Sequence, residues 1–246
     1  MQNTLVSIGK TAQMLGVSLD TLRRWDIAGR FHSVRSSMRG HRYYLQSDIE
    51  ELIHEKHVVS WARQWATASL GMEPASNMYC QTRDVFQARL EQFQSKLSRF
   101  VSLPTVSLIT AIAGEIGNNS FDHNLGNWPD IAGIFFSYSV RNKEVILADR
   151  GQGILATLKR VKPELTSASE ALKVAFTETI SGRLPEARGN GLKFVRSIIV
   201  DNPFTLQFQT GDAHLYLKQN DKNVLVRQTE AAMKGCFATI GFEETL

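Results

Sequence analysis

The chain has 246 residues, 43% hydrophobic and 21% charged, which is enough for one large or two modest domains and too ordinary for a disordered or fibrous protein. Its net charge of +4 is uneven, because residues 1–42 hold seven Lys and Arg against two Asp, the footprint expected of a nucleic-acid contact. The apolar runs, such as the one around Ile131 to Val140, are too short to span a bilayer, and no charged segment followed by an apolar core opens the chain, so a cytoplasmic protein without a membrane partner is expected. Cys80 and Cys236 lie far apart without CxxC spacing, which predicts reduced structural thiols rather than a disulfide, a zinc site or a nucleophile.

Ser7 is placed to cap a helix running to about Leu15, with Ile8, Ala12 and Leu15 at helical spacing. Gly16-Val17 interrupts it. Ser18 then caps a second helix, with Asp20 in its first turn and Leu22, Trp25 and Ile27 facing inward, ended by Gly29. Two helices joined by a short glycine turn make the helix-turn-helix pattern, whose second helix enters the major groove of double-stranded DNA. Phe31 to Leu45 reads as a small hairpin wing, and Ser47 with Glu50 makes a capping box for a helix from Asp48 to about His57.

Thr21-Leu22-Arg23, Gly29, Arg35, Gly40-His41-Arg42-Tyr43-Tyr44 and Asp48-Ile49 together resemble the MerR-type winged helix-turn-helix family. The sequence departs from that family in having Arg24-Trp25 after the matched arginine and Tyr43 in place of the second wing arginine. The resemblance implies a DNA-binding domain over residues 1–57, with Ser18, Thr21, Arg23, Arg24, Arg35, Arg39, His41, Arg42 and Tyr43 on the DNA side. Wing residues alternate in and out, so one of Tyr43 and Tyr44 belongs to the core.

Residues 58–100 read as a linker followed by an amphipathic helix. Trp61 and Trp65 lie one turn apart, and Gly71 to Asn77 supply loop-forming residues. From Gln81 to Phe100 a helix places Phe86, Leu90, Phe93, Leu97 and Phe100 at steps of 4, 3, 4 and 3. That spacing suits a coiled-coil homodimer and equally suits packing of the helix on the domain that follows.

Pro104 opens a helix at its first turn. At about 100° per residue Glu115, Asn119 and Asp122 share one face of it, while Ile109, Ile112, Ala113 and Ile116 take the other. A carboxylate one turn before an amide suits Mg²⁺, which takes oxygen ligands and keeps waters and phosphate oxygens. Strands over Ile131 to Tyr138 and Glu144 to Ala148, turned at Arg141-Asn-Lys143, deliver Asp149 to a strand end ahead of Gly151 and Gly153. Arg188-Gly-Asn-Gly191-Leu192 opens a further helix to about Val200, and backbone amides at such a start bind phosphate oxygens. Phe204 to Gln209, His214 to Lys218, Val224 to Arg227 and Gly235 to Ile240 read as antiparallel strands.

Glu115 to Asn124, Asp149 to Gly153 and Arg188 to Leu192 resemble, in that order, the N, G1 and G2 boxes of the GHKL superfamily of gyrase, histidine-kinase and mismatch-repair ATP-binding domains. The resemblance implies a two-layer α/β sandwich over residues 101–246, an α/β (α+β) two-domain protein overall, and a site for ATP and Mg²⁺. It implies Glu115 as general base, Asn119 as metal ligand, and Asn119, Asp122, His123, Asp149, Gly151, Gly153, Arg188, Gly189, Asn190, Gly191 and Leu192 around the nucleotide, with Ile154 to Ala187 as a lid. The first glycine of the last box is Ala187 here. Nothing after residue 246 supplies the catalytic lysine of the gyrase-like enzymes, so at most slow hydrolysis is expected. Three readings follow: a nucleotide-responsive DNA-binding regulator, a serine/threonine protein kinase acting on a protein partner, and a degenerate fold that binds a protein alone.

Overall fold

In the computed structural model, which describes residues 4–35, 37, 40–179 and 191–243, the chain divides into two units, Met1–Val58 and Val59–Leu246. The first begins with a short strand, β1 (Leu5–Ser7), leading into helix α1 (Ile8–Leu15), where Ser7 Oγ accepts from the Lys10 amide. Gly16 ends α1 at φ 63°, a left-handed value that glycine adopts without a Cβ penalty. Ser18 caps α2 (Leu19–Ile27) by accepting from the Thr21 amide at 3.1 Å. Strand β2 (Tyr43–Leu45) pairs antiparallel with β1, and a single bridge from Val34 to Tyr43 closes the wing. Leu22, Phe31, Tyr44 and Ile49 form the core with Ala12 and Leu15. Tyr44 is the inward tyrosine: its ring stacks on Phe31 at 4.8 Å and its hydroxyl donates to the Leu22 carbonyl. Ile27, expected inward, is 80% exposed at the end of α2.

Helix α3 (Gln46–Thr67) runs ten residues beyond its expected end at His57 and takes up the first part of the expected linker. No Gly or Pro occurs between Gln46 and Leu70, so nothing in the backbone chemistry stops it. Ser47 does not cap it; its hydroxyl donates to the Asp48 carboxylate.

The second unit is built on an antiparallel sheet of β3 (Tyr79–Cys80), β4 (Ile134–Ser139), β5 (Glu144–Asp149), β7 (Val226–Phe242) and β6 (Phe204–Lys218), in that spatial order. The four strands expected after residue 203 are two long ones, because the register shifts at Thr210 and Gly211 let each continue through its irregular middle. Helices α4 (Arg83–Leu97), α5 (Leu103–Asn124), α6 (Gly153–Leu158), α7 (Ala168–Thr177) and α8 (Gly191–Asp201) complete the unit. Phe86, Leu90, Phe93 and Leu97 of α4 are all buried in the same core as α5 and the sheet, so the 4-3-4 seam is spent within the unit. Of the segment expected as a lid, residues 154–179 hold α6 and α7 with Leu158, Leu172 and Phe176 in the core, and residues 180–187 lie outside the described ones.

Strand alternation gives the sheet two distinct faces. Val145 and Leu147 of β5 point into the helical core, while Ile146 and Ala148 point the other way and are equally buried. The last turns of α3 lie on that second face: Trp65 meets Phe135 at 6.3 Å between ring centroids, and Arg63 sits 4.6 Å over the Phe237 ring. This third layer was not expected. Among the described residues no helix is long and apolar enough to cross a membrane.

Candidate functional site

Glu115 and Asn119 lie one turn apart on α5, both half-buried, beside the first residue of α8. A Cβ placed on Gly191 would stand 2.6 Å from Glu115 Oε2 and 3.2 Å from Asn119 Nδ2, so the α8 start lies directly against both side chains. The N-terminus of α8, the positive end of the helix dipole, is thereby set against a carboxylate and an amide. Nine residues further along α5, on the order of 14 Å at the helical rise and about half a turn round the helix from Glu115, Asn124 stands near its C-terminal end.

At that end β5 delivers Asp149, which is 2% exposed. Its Oδ2 accepts from Ser120 Oγ at 2.7 Å and its Oδ1 from the Gly151 amide at 2.8 Å, and the Cys236 amide is a third donor. An ionised carboxylate offers about four acceptor positions, so the donors among the described residues leave one. Burial pushes the Asp149 carboxyl upward, and the donors from Ser120, Gly151 and Cys236 oppose that rise. The walls are closed by glycines: a Cβ on Gly235 would collide with the Asp149 carboxylate, and one on Gly151 with the Asn124 side chain. Asn124 is itself fixed, donating to the Ser120 carbonyl at 2.7 Å and accepting from the Gln152 amide at 2.8 Å. Thr210 Oγ1 accepts from the Ile154 amide at 3.2 Å and donates to the Gly235 carbonyl at 2.9 Å, joining β6, β7 and the start of α6 beside Gly153.

Three segments far apart in sequence therefore meet on α5, the α8 start against Glu115 and Asn119 and the β5–α6 turn against Ser120 and Asn124 on another side of the helix. Asp122 is not part of it. Its carboxylate forms an ion pair with Arg83 in the first turn of α4, and next to it Gln87 Nε2 donates to Asn118 Oδ1 at 2.8 Å, so this edge of α5 binds α4. His123 is half-buried, with burial and Arg160 lowering its imidazole pKa, and its carbonyl accepts from Gln152 Nε2. Leu192 turns its side chain onto the hydrophobic core. Arg188, Gly189 and Asn190 lie outside the described residues. Sequence reasoning passed over Ser120, Asn124, Gln152, Thr210 and Gly235; only the polar side chains at 120 and 124, one turn apart inside an apolar helix, were a signal.

The cysteines carry no site. Burial pushes the Cys80 thiol up to about 11 and the Cys236 thiol well above its ordinary value, so both stay protonated. No group of three or more His, Cys, Asp or Glu side chains able to hold a metal occurs among the described residues.

In the first unit the expected DNA-side residues divide into two sets. Ser18, Arg23 and Arg24 are exposed and Thr21 is half-exposed at the start of α2. Arg23 pairs with Asp20 at 2.7 Å, both well exposed, and Arg24 donates to Thr21 Oγ1 at 3.4 Å; exposed pairs of this kind are weak and exchange readily for a phosphate. Arg35 and Arg42 are committed inward instead. Both bond Asp26, Arg42 through Nε at 2.8 Å, and the Ser33 amide adds a bond at 2.9 Å. Burial raises the Asp26 pKa, yet Arg42, Ser33 and Arg35 outweigh it and hold the carboxyl far below the usual range. These two arginines brace the wing. His41 and Tyr43 are exposed, and Arg39 lies outside the described residues.

Residues 6–59 match the family described as MerR HTH family regulatory protein. The first unit is thus a MerR-type helix-turn-helix domain, which points to a DNA-binding regulator. The chain is also similar to the Type II methyltransferase M.Eco47II of Escherichia coli, 24% identical over 220 residues that cover 81% of this chain and 49% of that protein. The chain spans about half the length of this curated relative.

Proposed function

We propose that the protein is an ATP-binding, nucleotide-responsive DNA-binding regulator of transcription or of a mobile element, acting in the cytoplasm, with its second unit a GHKL-type domain. The observation that carries this reading is the convergence on α5: Asp149 with one unused acceptor position at one end, and the α8 start against Glu115 and Asn119 at the other. A purine amino group would donate to Asp149, whose carboxylate Ser120 and the Gly151 amide hold in place. The phosphates would lie at the α8 N-terminus, where amides and dipole favour an anion.

The residues present suit Mg²⁺. Asn119 Oδ1 would hold the ion, with water and phosphate oxygens completing the shell as that cation prefers. Bound there, it supplies charge neutralisation of the phosphates. Glu115, beside the same helix start, would orient or deprotonate a water or a partner's hydroxyl, and this is what allows slow hydrolysis or transfer.

Radiolabelled ATP, with and without DNA, tests the reading. Retained ATP supports a nucleotide-responsive regulator, free phosphate adds hydrolysis, and label on a second protein makes the chain a serine/threonine kinase. No retention under any condition leaves a degenerate fold that binds a protein alone and overturns the proposal. The similarity to a methyltransferase favours a second reading, a part in methyl transfer; incorporation of label from a methyl donor, absent when ATP is retained, would establish it instead.

A further inference from the structure

Asp149 and Arg150 are neighbours at the end of β5, and alternation sends them to opposite faces of the sheet. Asp149 enters the helical layer and meets Ser120. Arg150 enters the layer formed by α3, where it is 0% exposed, the largest fully buried side chain among the described residues. Its Nε donates to both oxygens of Asp130 at 3.2 and 3.1 Å, its Nη2 donates to Oδ2 at 2.6 Å, and its Nη1 donates to the Trp65 carbonyl in the last turns of α3. The guanidinium also lies 5.9 Å from the centre of the Trp65 indole, whose Nε1 donates to the Met72 carbonyl at 2.7 Å. Lys234 Nζ reaches the same Asp130 at 3.2 Å and the Ser69 carbonyl at 2.9 Å. A Cβ on Gly71 would stand 3.1 Å from Arg150 Nε, so the chain leaving α3 is pressed onto the guanidinium.

A buried guanidinium is costly, and an apolar side chain of similar volume would often stabilise the fold as well or better. The bonds of Arg150 go where an apolar residue's could not: to a backbone carbonyl of α3 and to a carboxylate that also holds Lys234. Helix α3 supplies Ile49, Leu52 and Ile53 to the core of the first unit and Trp65 to the second. We propose that Arg150 is a positioning residue that couples occupancy of the Asp149 pocket to α3, and through α3 sets the DNA affinity of the helix-turn-helix unit. This rests on the ATP reading of the pocket. A donor taking the last acceptor position of Asp149 acts on the Asp149–Gly151 backbone, which Gly235 already crowds. Arg150 shares that backbone, so the change passes to the Trp65 carbonyl. Two arrangements of this link that differ in nucleotide affinity are all that the response requires.

Hydrogen exchange on the full chain, with and without Mg-ATP, reads the link without any substitution. Protection is expected to change at residues 149–153 and, together with them, at the last turns of α3. DNA binding then reads the consequence: in the wild type, Mg-ATP shifts DNA affinity by on the order of 5-fold or more. In Arg150→Met, and in the surface variant Lys234→Met should the first fail to fold, ATP binds as in the wild type while the ratio of DNA affinities with and without Mg-ATP moves towards one. A purely structural role would weaken both affinities and leave the ratio unmoved. Protection that changes at 149–153 but not in α3, or a ratio kept by the variants, overturns the coupling. No change at 149–153 and no bound ATP removes the pocket reading itself, and the coupling with it.

Discussion

Asp149 is a carboxylate with three internal donors and one position to spare, so its worth to a ligand depends on the exchange of one oxygen for a second donor. Asp149→Asn would present an amide nitrogen to the Gly151 amide or to Ser120, and is expected to weaken ATP binding by about 1–3 kcal/mol while the fold persists. Calorimetric titration checks this, and unchanged affinity would take Asp149 out of the site. Glu115 and Asn119 should separate chemistry from binding. Glu115→Gln keeps the shape against Gly191 and is expected to lower any turnover by about 10²- to 10⁴-fold with ATP still bound, whereas Asn119→Ala should lose the Mg²⁺-dependent part of binding. Equal loss of binding in both variants would make Glu115 a structural residue. Single residues were unevenly legible. That 151 and 191 needed glycine could be read from their place in the chain, but not that Asn124 and Glu115 are the side chains a Cβ would strike. Arg35 and Arg42 read as free positive charge because no pattern in the sequence assigns both to Asp26.

Elements followed the sequence where periodicity was strong and no distant partner intervened. Helix α5 begins beside Pro104 and buries the Ile109, Ile112, Ala113 and Ile116 stripe as its spacing requires. The α4 seam was ambiguous because a heptad-like stripe looks the same whether it meets another chain or its own sheet. The answer lies in α5: Gly117 leaves room for the Phe86 ring, and a Cβ there would overlap it. Gly117→Ala gains helix propensity on paper, yet is expected to cost about 1–3 kcal/mol through overpacking, measurable as a lower midpoint in denaturant. An unchanged or higher midpoint would mean that α4 is held more loosely than Phe86 at 0% exposure implies. Helix α3 runs past the His57 end its sequence predicts because no Gly or Pro interrupts it, and the boundary between the two units falls inside the helix.

At the scale of the molecule, acid should act through two buffered carboxylates, one in each unit. The Arg150 guanidinium, helped by Ile131 and Lys234 and opposed by burial, lowers Asp130 from 3.8 to about 2, and Asp26 is held below its ordinary value as well. Folded pKa values below the unfolded ones mean that the ionised groups stabilise the protein above about pH 4, and that this stability is lost as pH falls from 3.8 towards 2. Thermal melts across that window should show a loss that Asp130→Asn largely removes for the second unit; parallel pH profiles for wild type and variant would show that Asp130 is not the titrating group. The exposed arginines at the start of α2 predict DNA binding that weakens steeply with salt, with Arg23→Ala reducing both affinity and salt slope.

If one chain joins a nucleotide site to a DNA-binding head, the fluorescence anisotropy of labelled DNA shows it most directly, titrated with the full chain at fixed salt, with Mg-ATP, with Mg²⁺ alone, and with the Asp149→Asn variant. Salt-sensitive DNA binding is expected, with an affinity that differs between Mg-ATP and Mg²⁺ alone in the wild type and does not differ in the variant. DNA binding identical in all conditions, or none at low salt, would contradict it.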